Sequence, residues 1–174
     1  MNKLFAVLLG GRIQGCNTEL HDTVFVVGPS LETCYPQLVR KWFGDTHRLH
    51  IDSSVELHQV DGYDISLHPE KPAESNLHLF FVNFGGYQTG VFGETHQVQF
   101  YVAKSKTQAL LRARETLCLG LNEQHCDDNL PVDDILLLDS IDNFYIHINS
   151  ATEIKPLVIE SYYRKFDAEK ILVC

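Results

Sequence analysis

The sequence predicts an α+β fold built by tandem duplication of a β-β-α-β-β unit, and two observations predict it. The stretch Leu4 to Ser30 returns as Leu79 to Ser105, 75 positions later and without a gap, with 11 of 27 positions identical. After that stretch each copy shows one helical period and then a strand pattern that closes on a turn dipeptide. The identical pairs include Gly10 with Gly85, Gly11 with Gly86, Glu19 with Glu94, and His21 with His96.

The first copy opens with the apolar run Leu4 to Leu9, read as a buried strand that stops at Gly10-Gly11. A polar loop from Arg12 to about Thr18 follows, then a second strand over Val24 to Val27. Tyr35, Leu38, Val39, Trp42 and Phe43 recur at helical spacing before Gly44, so they mark an amphipathic helix with Pro36 in its first turn. In the second copy Ser105-Lys106-Thr107-Gln108 is a capping box, and the helix runs to about Leu119 with Gly120 as its stop. Arg40, Lys41, Arg112 and Arg114 are assigned to the solvent side of these helices.

Beyond the helices the likeness resumes at an offset of 81, with the six extra residues in the loop LNEQHCDDNL. Asp61-Gly62 and Asp142-Asn143 are turn dipeptides, so each unit closes on a short hairpin. The expected assembly packs both units about a pseudo-two-fold axis into one domain over residues 1–149, with repeat 1 at about 3–68 and repeat 2 at about 78–149. Residues 150–174 form a C-terminal extension, in which Pro156 to Ile159 suit a strand and Tyr162 to Leu172 a short helix.

Composition narrows the function. A formal net charge of -9, with 14 Lys and Arg scattered along the chain, argues against nucleic acid as a partner. Five cysteines without a CxxC pair suit a reducing cytosol. The apolar N-terminal run recurs at Leu79 in mid-chain, so it reads as a core strand and not a signal peptide. No apolar stretch approaches the roughly 20 residues of a membrane span, and no membrane role is expected. The glycine pair lies between two strands, which excludes a dinucleotide or P-loop fingerprint, because both need a glycine loop opening a helix.

LFAVLLGG, ELHD, VFVVG, YPQL, HIDSSVEL and VDGYDI resemble the bacterial family catalogued as domain of unknown function 1543, whose members carry one or two copies of such a unit. The resemblance is close over Lys3 to Leu67 and more divergent in the second copy. It implies a bacterial origin and the duplicated fold; it implies no activity, cofactor or catalytic residues.

Glu19, His21, Glu94 and His96 form the strongest constellation. Residues two apart on a strand share a face, and a two-fold axis can gather four donors suited to a divalent metal such as Zn, Mn or Fe. The competing reading gives His21 and Glu19 a structural task, tying the glycine loop to the strand. Gly10, Gly11, Arg12, Gly85 and Gly86 are candidates for a ligand-holding nest of backbone amides, although the counterpart of Arg12 is Tyr87 and tight-turn glycines are the plainer reading. Asp52 and Asp133 read as turn formers, and His50, His58 and His68 as surface histidines. His125-Cys126-Asp127-Asp128 holds metal-ligand types without a second close pair. No nucleophile elbow is present, and no cysteine recurs in the other copy. The expected function is therefore a non-enzymatic binding module for a small molecule or protein, with its site at the repeat interface. The alternatives are a small metal-dependent hydrolase using the two Glu-x-His pairs, and a structural protein that self-assembles into homo-oligomers.

Overall fold

The computed structural model describes residues 1–73, 75–122, 135–168 and 171. Antiparallel strands dominate, and two α-helices lie among them. The first unit runs through β1 (Lys3–Arg12), β2 (Leu20–Gly28), a 3-10 turn at Glu32–Cys34, α1 (Tyr35–Lys41), β3 (Asp45–Glu56), β4 (Gln59–Val60) and β5 (Tyr63–His68). The second has β6 (His78–Tyr87), β7 (Glu94–Ala103), α2 (Lys106–Thr116), β8 (Ile135–Leu138), β9 (Ser140–Ile141) and β10 (Phe144–Ser150). A last strand, β11 (Ile159–Lys165), follows. Both units thus contain a two-residue strand that the expected β-β-α-β-β pattern merged with its neighbour.

The strands form three sheets, ordered β11-β3-β1-β2, β7-β6-β8 and β4-β5-β10-β9. Alternation decides what each face meets. On β1, Phe5, Val7 and Leu9 join Leu38, Val39 and Trp42 under α1, while Leu4 and Ala6 join the opposite core. The second sheet repeats this with Phe80, Val82 and Phe84 packed beneath Ala109 and Ala113 of α2. Between the two sheets a shared core gathers Leu4, Phe25 and Leu57 with Leu79, Phe100 and Leu138. Phe25, Phe81 and Phe100 meet there with ring centroids 5.5 to 6.5 Å apart. Burying each such side chain contributes about 1.5–3 kcal/mol, so the seam between units is a main source of stability.

The hairpins lock the seam. Asp61 and Gly62 have φ of 55° and 78°, and Asp142 and Asn143 have 49° and 68°, the paired left-handed residues of a type I′ turn. β5 pairs with β10 so that Ser66 faces His147, positions that match at the offset of 81. Each turn then reaches the opposite unit. Oδ2 of Asp61 accepts the Val102 amide proton at 2.7 Å and pairs with Arg112 at 2.8 Å. Asp142 mirrors it, accepting from the Val27 amide at 3.1 Å and pairing with Lys41 at 2.7 Å. Lys41 and Arg112 therefore do not sit on a plain solvent face: their long side chains carry charge to the seam. Hydrogen bonding to Asp61 pushes the Arg112 pKa up and holds the guanidinium charged.

Four other local expectations change. β1 does not stop at Gly10-Gly11 but continues to Arg12, because both glycines pair with β2 as Gly10 with His21 and Gly11 with Leu20. α2 ends at Thr116, short of Leu119. Phe43, expected on the buried stripe, is exposed, because α1 ends at Lys41 and the chain turns extended at Trp42. The segment from Tyr162, expected as helix, continues as strand to Lys165, because β11 pairs with the open edge of β3. Ser105 caps α2 as expected, accepting the Gln108 amide proton at 3.2 Å, and Gln108 returns its side-chain oxygen to the Lys104 amide. Asp133 and the His125 to Asp128 cluster lie outside the described residues.

Replacing Asp142 with Ala removes a charge-assisted acceptor from the Val27 amide and leaves Lys41 with the Phe25 carbonyl but without its carboxylate. A loss of about 1–3 kcal/mol is expected in urea unfolding, with a similar loss for Asp61→Ala. The two changes should weaken the same seam, so their sum is expected to differ from the double variant by at least about 0.5 kcal/mol.

Candidate binding cleft

The first Glu-x-His pair is organised by a glycine. Gly10 lies between His21 on β2 and His50 on β3 in adjacent register, and the three share a face. A Cβ at Gly10 would stand 2.4 Å from Nε2 of His50 and 2.6 Å from Oδ2 of Asp52. The missing side chain is what lets the neighbouring strands' polar groups meet across β1. Gly11 serves the opposite face in the same way, since its Cβ would stand 2.7 Å from the Trp42 ring.

Into the Gly10 notch fold four polar side chains. His50 is 2% exposed, packs on the Tyr163 ring at a tilt of 44° with centroids 4.2 Å apart, and donates from Nδ1 to the Arg48 carbonyl at 2.8 Å. Its Nε2 lies 2.8 Å from Oε1 of Glu19 and 3.3 Å from Oδ1 of Asp52. Both ring nitrogens thus face hydrogen-bond acceptors. Nε2 of His21 lies 3.0 Å from Oδ2 of Asp52, but that oxygen is buried without a well-directed hydrogen bond. A register shift between Leu8 and Leu9 makes Asp52 the extra residue of a β-bulge, and bulges commonly re-aim a side chain in this way. Arg48 is held at φ 73°, a region that non-glycine residues seldom adopt.

Asp52 is therefore not a turn former, and His50 is not at the surface. His58 is half-buried and His68 exposed. A signal for the His50 and Asp52 pair was present: they repeat the i, i+2 spacing of Glu19 and His21. Strand register across Gly10, which makes the spacing meaningful, was not readable.

In the second unit Glu94 and His96 contact each other more loosely, Oε2 to Nε2 at 3.6 Å. Oε1 of Glu94 is buried without a hydrogen-bond partner. The position matching His50 at the offset of 81 is Pro131, so the two sites differ in chemistry. Gly85 and Gly86 pair with His96 and Thr95 inside the β6/β7 ladder, and Arg12 is exposed at the end of β1 opposite Asp45. The left-handed glycines of the two loops are instead Gly15 and Gly90, at φ of 91° and 85°.

A cleft of about 850 Å³ opens between the two helix-backed sheets. His21 and His96 both line it, as do the matching pairs Ala6 with Phe81, Leu8 with Asn83, Thr23 with Val98, and Val55 with Leu136. Glu19 and Glu94 are not among its lining residues; they stand behind, Glu19 on His50 and Glu94 on His96. Asp22 lines the cleft, and burial pushes its carboxyl pKa up. Among the described residues no three or more His, Cys, Asp or Glu side chains are grouped to hold a metal ion.

A family model described as Domain of Unknown Function (DUF1543) matches residues 16–67 and 92–148. The chain belongs to the DUF1543 family. The two matched stretches fall one in each unit, so the family match itself supports the duplication. A crystal structure of a protein Il1583 from Idiomarina loihiensis is similar to this DUF1543 chain, with 39% identity over 94% of this chain and 97% of that one, and a TM-score of 0.73. None of the curated proteins matches it. No helix among the described residues is long and apolar enough to cross a membrane.

Two substitutions test the site's packing. Gly10→Ala is expected to lower stability by about 1–3 kcal/mol in chemical unfolding, because His50 is enclosed and cannot retreat. Asp22→Asn is expected to raise the melting temperature at neutral pH. A raised folded-state pKa means that ionised Asp22 disfavours folding; this penalty is absent below the ordinary value of 3.8, grows as pH rises from there to the folded-state pKa, and is constant above it. The melting curves of the two proteins should therefore converge as pH falls below 3.8.

Proposed function

We propose that the protein is a binding module, with a small ligand held in the cleft between its two sheets. In this reading the two units are related by a pseudo-two-fold axis, supported by the Ser66 and His147 pairing and the reciprocal Asp61 and Asp142 contacts. One observation carries the proposal: equivalent residues from both copies, His21 and His96 above all, line a single cleft. Its volume of about 850 Å³ falls in the range of small-molecule sites, most of which are apolar with a few placed polar groups. Duplication accounts for such a site economically, since one unit supplies each wall.

The test is fluorescence titration with N-phenyl-1-naphthylamine, a neutral apolar dye that brightens out of water. Saturable binding is expected. Val98 is half-exposed on the cleft wall, so Val98→Trp fills the space without disturbing the core. That variant should melt as the parent does and bind the dye at least tenfold more weakly, a difference of about 1.4 kcal/mol. Equal binding by both proteins would remove the cleft as the site.

A further inference from the structure

We infer that the natural ligand of this cleft is an amphipathic amine: an aromatic or aliphatic body carrying an ammonium group. The inference rests on the cleft being the binding site and adds its chemical selectivity. Three features point the same way.

The first is charge. Among the described residues no Lys or Arg lines the cleft, whereas Asp22 lines it directly, and Asp52 and Glu94 stand immediately behind His21 and His96. An entering anion would meet carboxylates in a partly desolvated space with no fixed cation to offset them. The two histidines do not reverse this, because Nε2 of each lies against a carboxylate, at 3.0 Å for His21 and 3.6 Å for His96.

The second is hydrogen-bond supply. Asn83 lines the cleft, and its buried Oδ1 has no hydrogen-bond partner. This oxygen accepts, and native structures seldom leave a buried acceptor unsatisfied, so the fitting ligand supplies a hydrogen-bond donor. An ammonium group offers three donors together with the charge that the carboxylates favour.

The third is the wall. Leu8, Phe81, Val98, Phe100 and Leu136 provide an apolar surface wide enough for a ring or short alkyl chain. A small, wholly hydrated cation would leave this surface unused, so the ligand combines both characters.

The experiment compares 2-phenylethylamine, 2-phenylethanol and phenylacetate, which share a ring and differ in the head group. Each is titrated calorimetrically into the full chain at low ionic strength and tested for displacement of N-phenyl-1-naphthylamine. The amine is expected to bind at least tenfold more tightly than the alcohol, and the carboxylate more weakly than either. Asn83→Leu should cut the advantage of the amine over the alcohol several-fold, and Val98→Trp should weaken all three. Phenylacetate binding as tightly as the amine, or an amine no better than the alcohol, overturns the inference while dye binding leaves the cleft reading standing. Failure of the dye and of all three compounds overturns both.

Discussion

Each hairpin turn of this protein satisfies a backbone amide in the other unit. Asp61 accepts from Val102, Asp142 accepts from Val27, and each aspartate is also paired with a helix cation from that same unit, Arg112 or Lys41. The type I′ geometry of Asp-Gly and Asp-Asn directs the turn outward, and the pairing of β5 with β10 keeps it there. These contacts act with the shared apolar core to hold the inner faces of the two helix-backed sheets together. The shared core of Leu4, Phe25, Leu79 and Phe100 and the cleft beside it both depend on that apposition.

The same apposition separates two kinds of inner surface. Near the hairpins the sheets touch, and Phe25, edge-on to Phe81 and Phe100, closes the gap with them. Farther along the strands the residues change to His21, Thr23, Asn83 and His96, and the sheets part. Apolar side chains draw faces together by excluding water, whereas polar ones retain it or bind in its place. One pair of strands thus supplies core at one end and a ligand-sized space at the other.

The two copies have not kept identical chemistry. Repeat 1 surrounds Gly10 with His50, Asp52, Glu19 and His21, whereas the sequence position that matches His50 in repeat 2 is Pro131. β11 likewise completes only the first sheet, on the edge of β3. A gene duplication begins symmetric, but in the proposed reading a single ligand lying across the seam would meet each half differently. Divergence at the notch, with His21 and His96 retained, is consistent with one ligand contacting both halves.

Much of this fold was legible in the chain. The offset of 75, the helical period under Trp42, the Ser105 cap and the two Asp turns follow from local spacing, which depends on residues a few positions apart. The pairing of Glu19 with His21 was equally visible, and so was their recurrence. What the chain by itself determined was thus the duplication, the element types and one recurring polar pair. Which residues those histidines meet was decided only in three dimensions. His50 and Asp52 looked like surface and turn residues until strand register set them across Gly10, and Lys41 and Arg112 looked solvent-facing until the other unit's hairpin arrived. Burial and partnership at these positions arise from contacts between residues far apart in sequence, such as Lys41 with Asp142, and local periodicity carries no record of them.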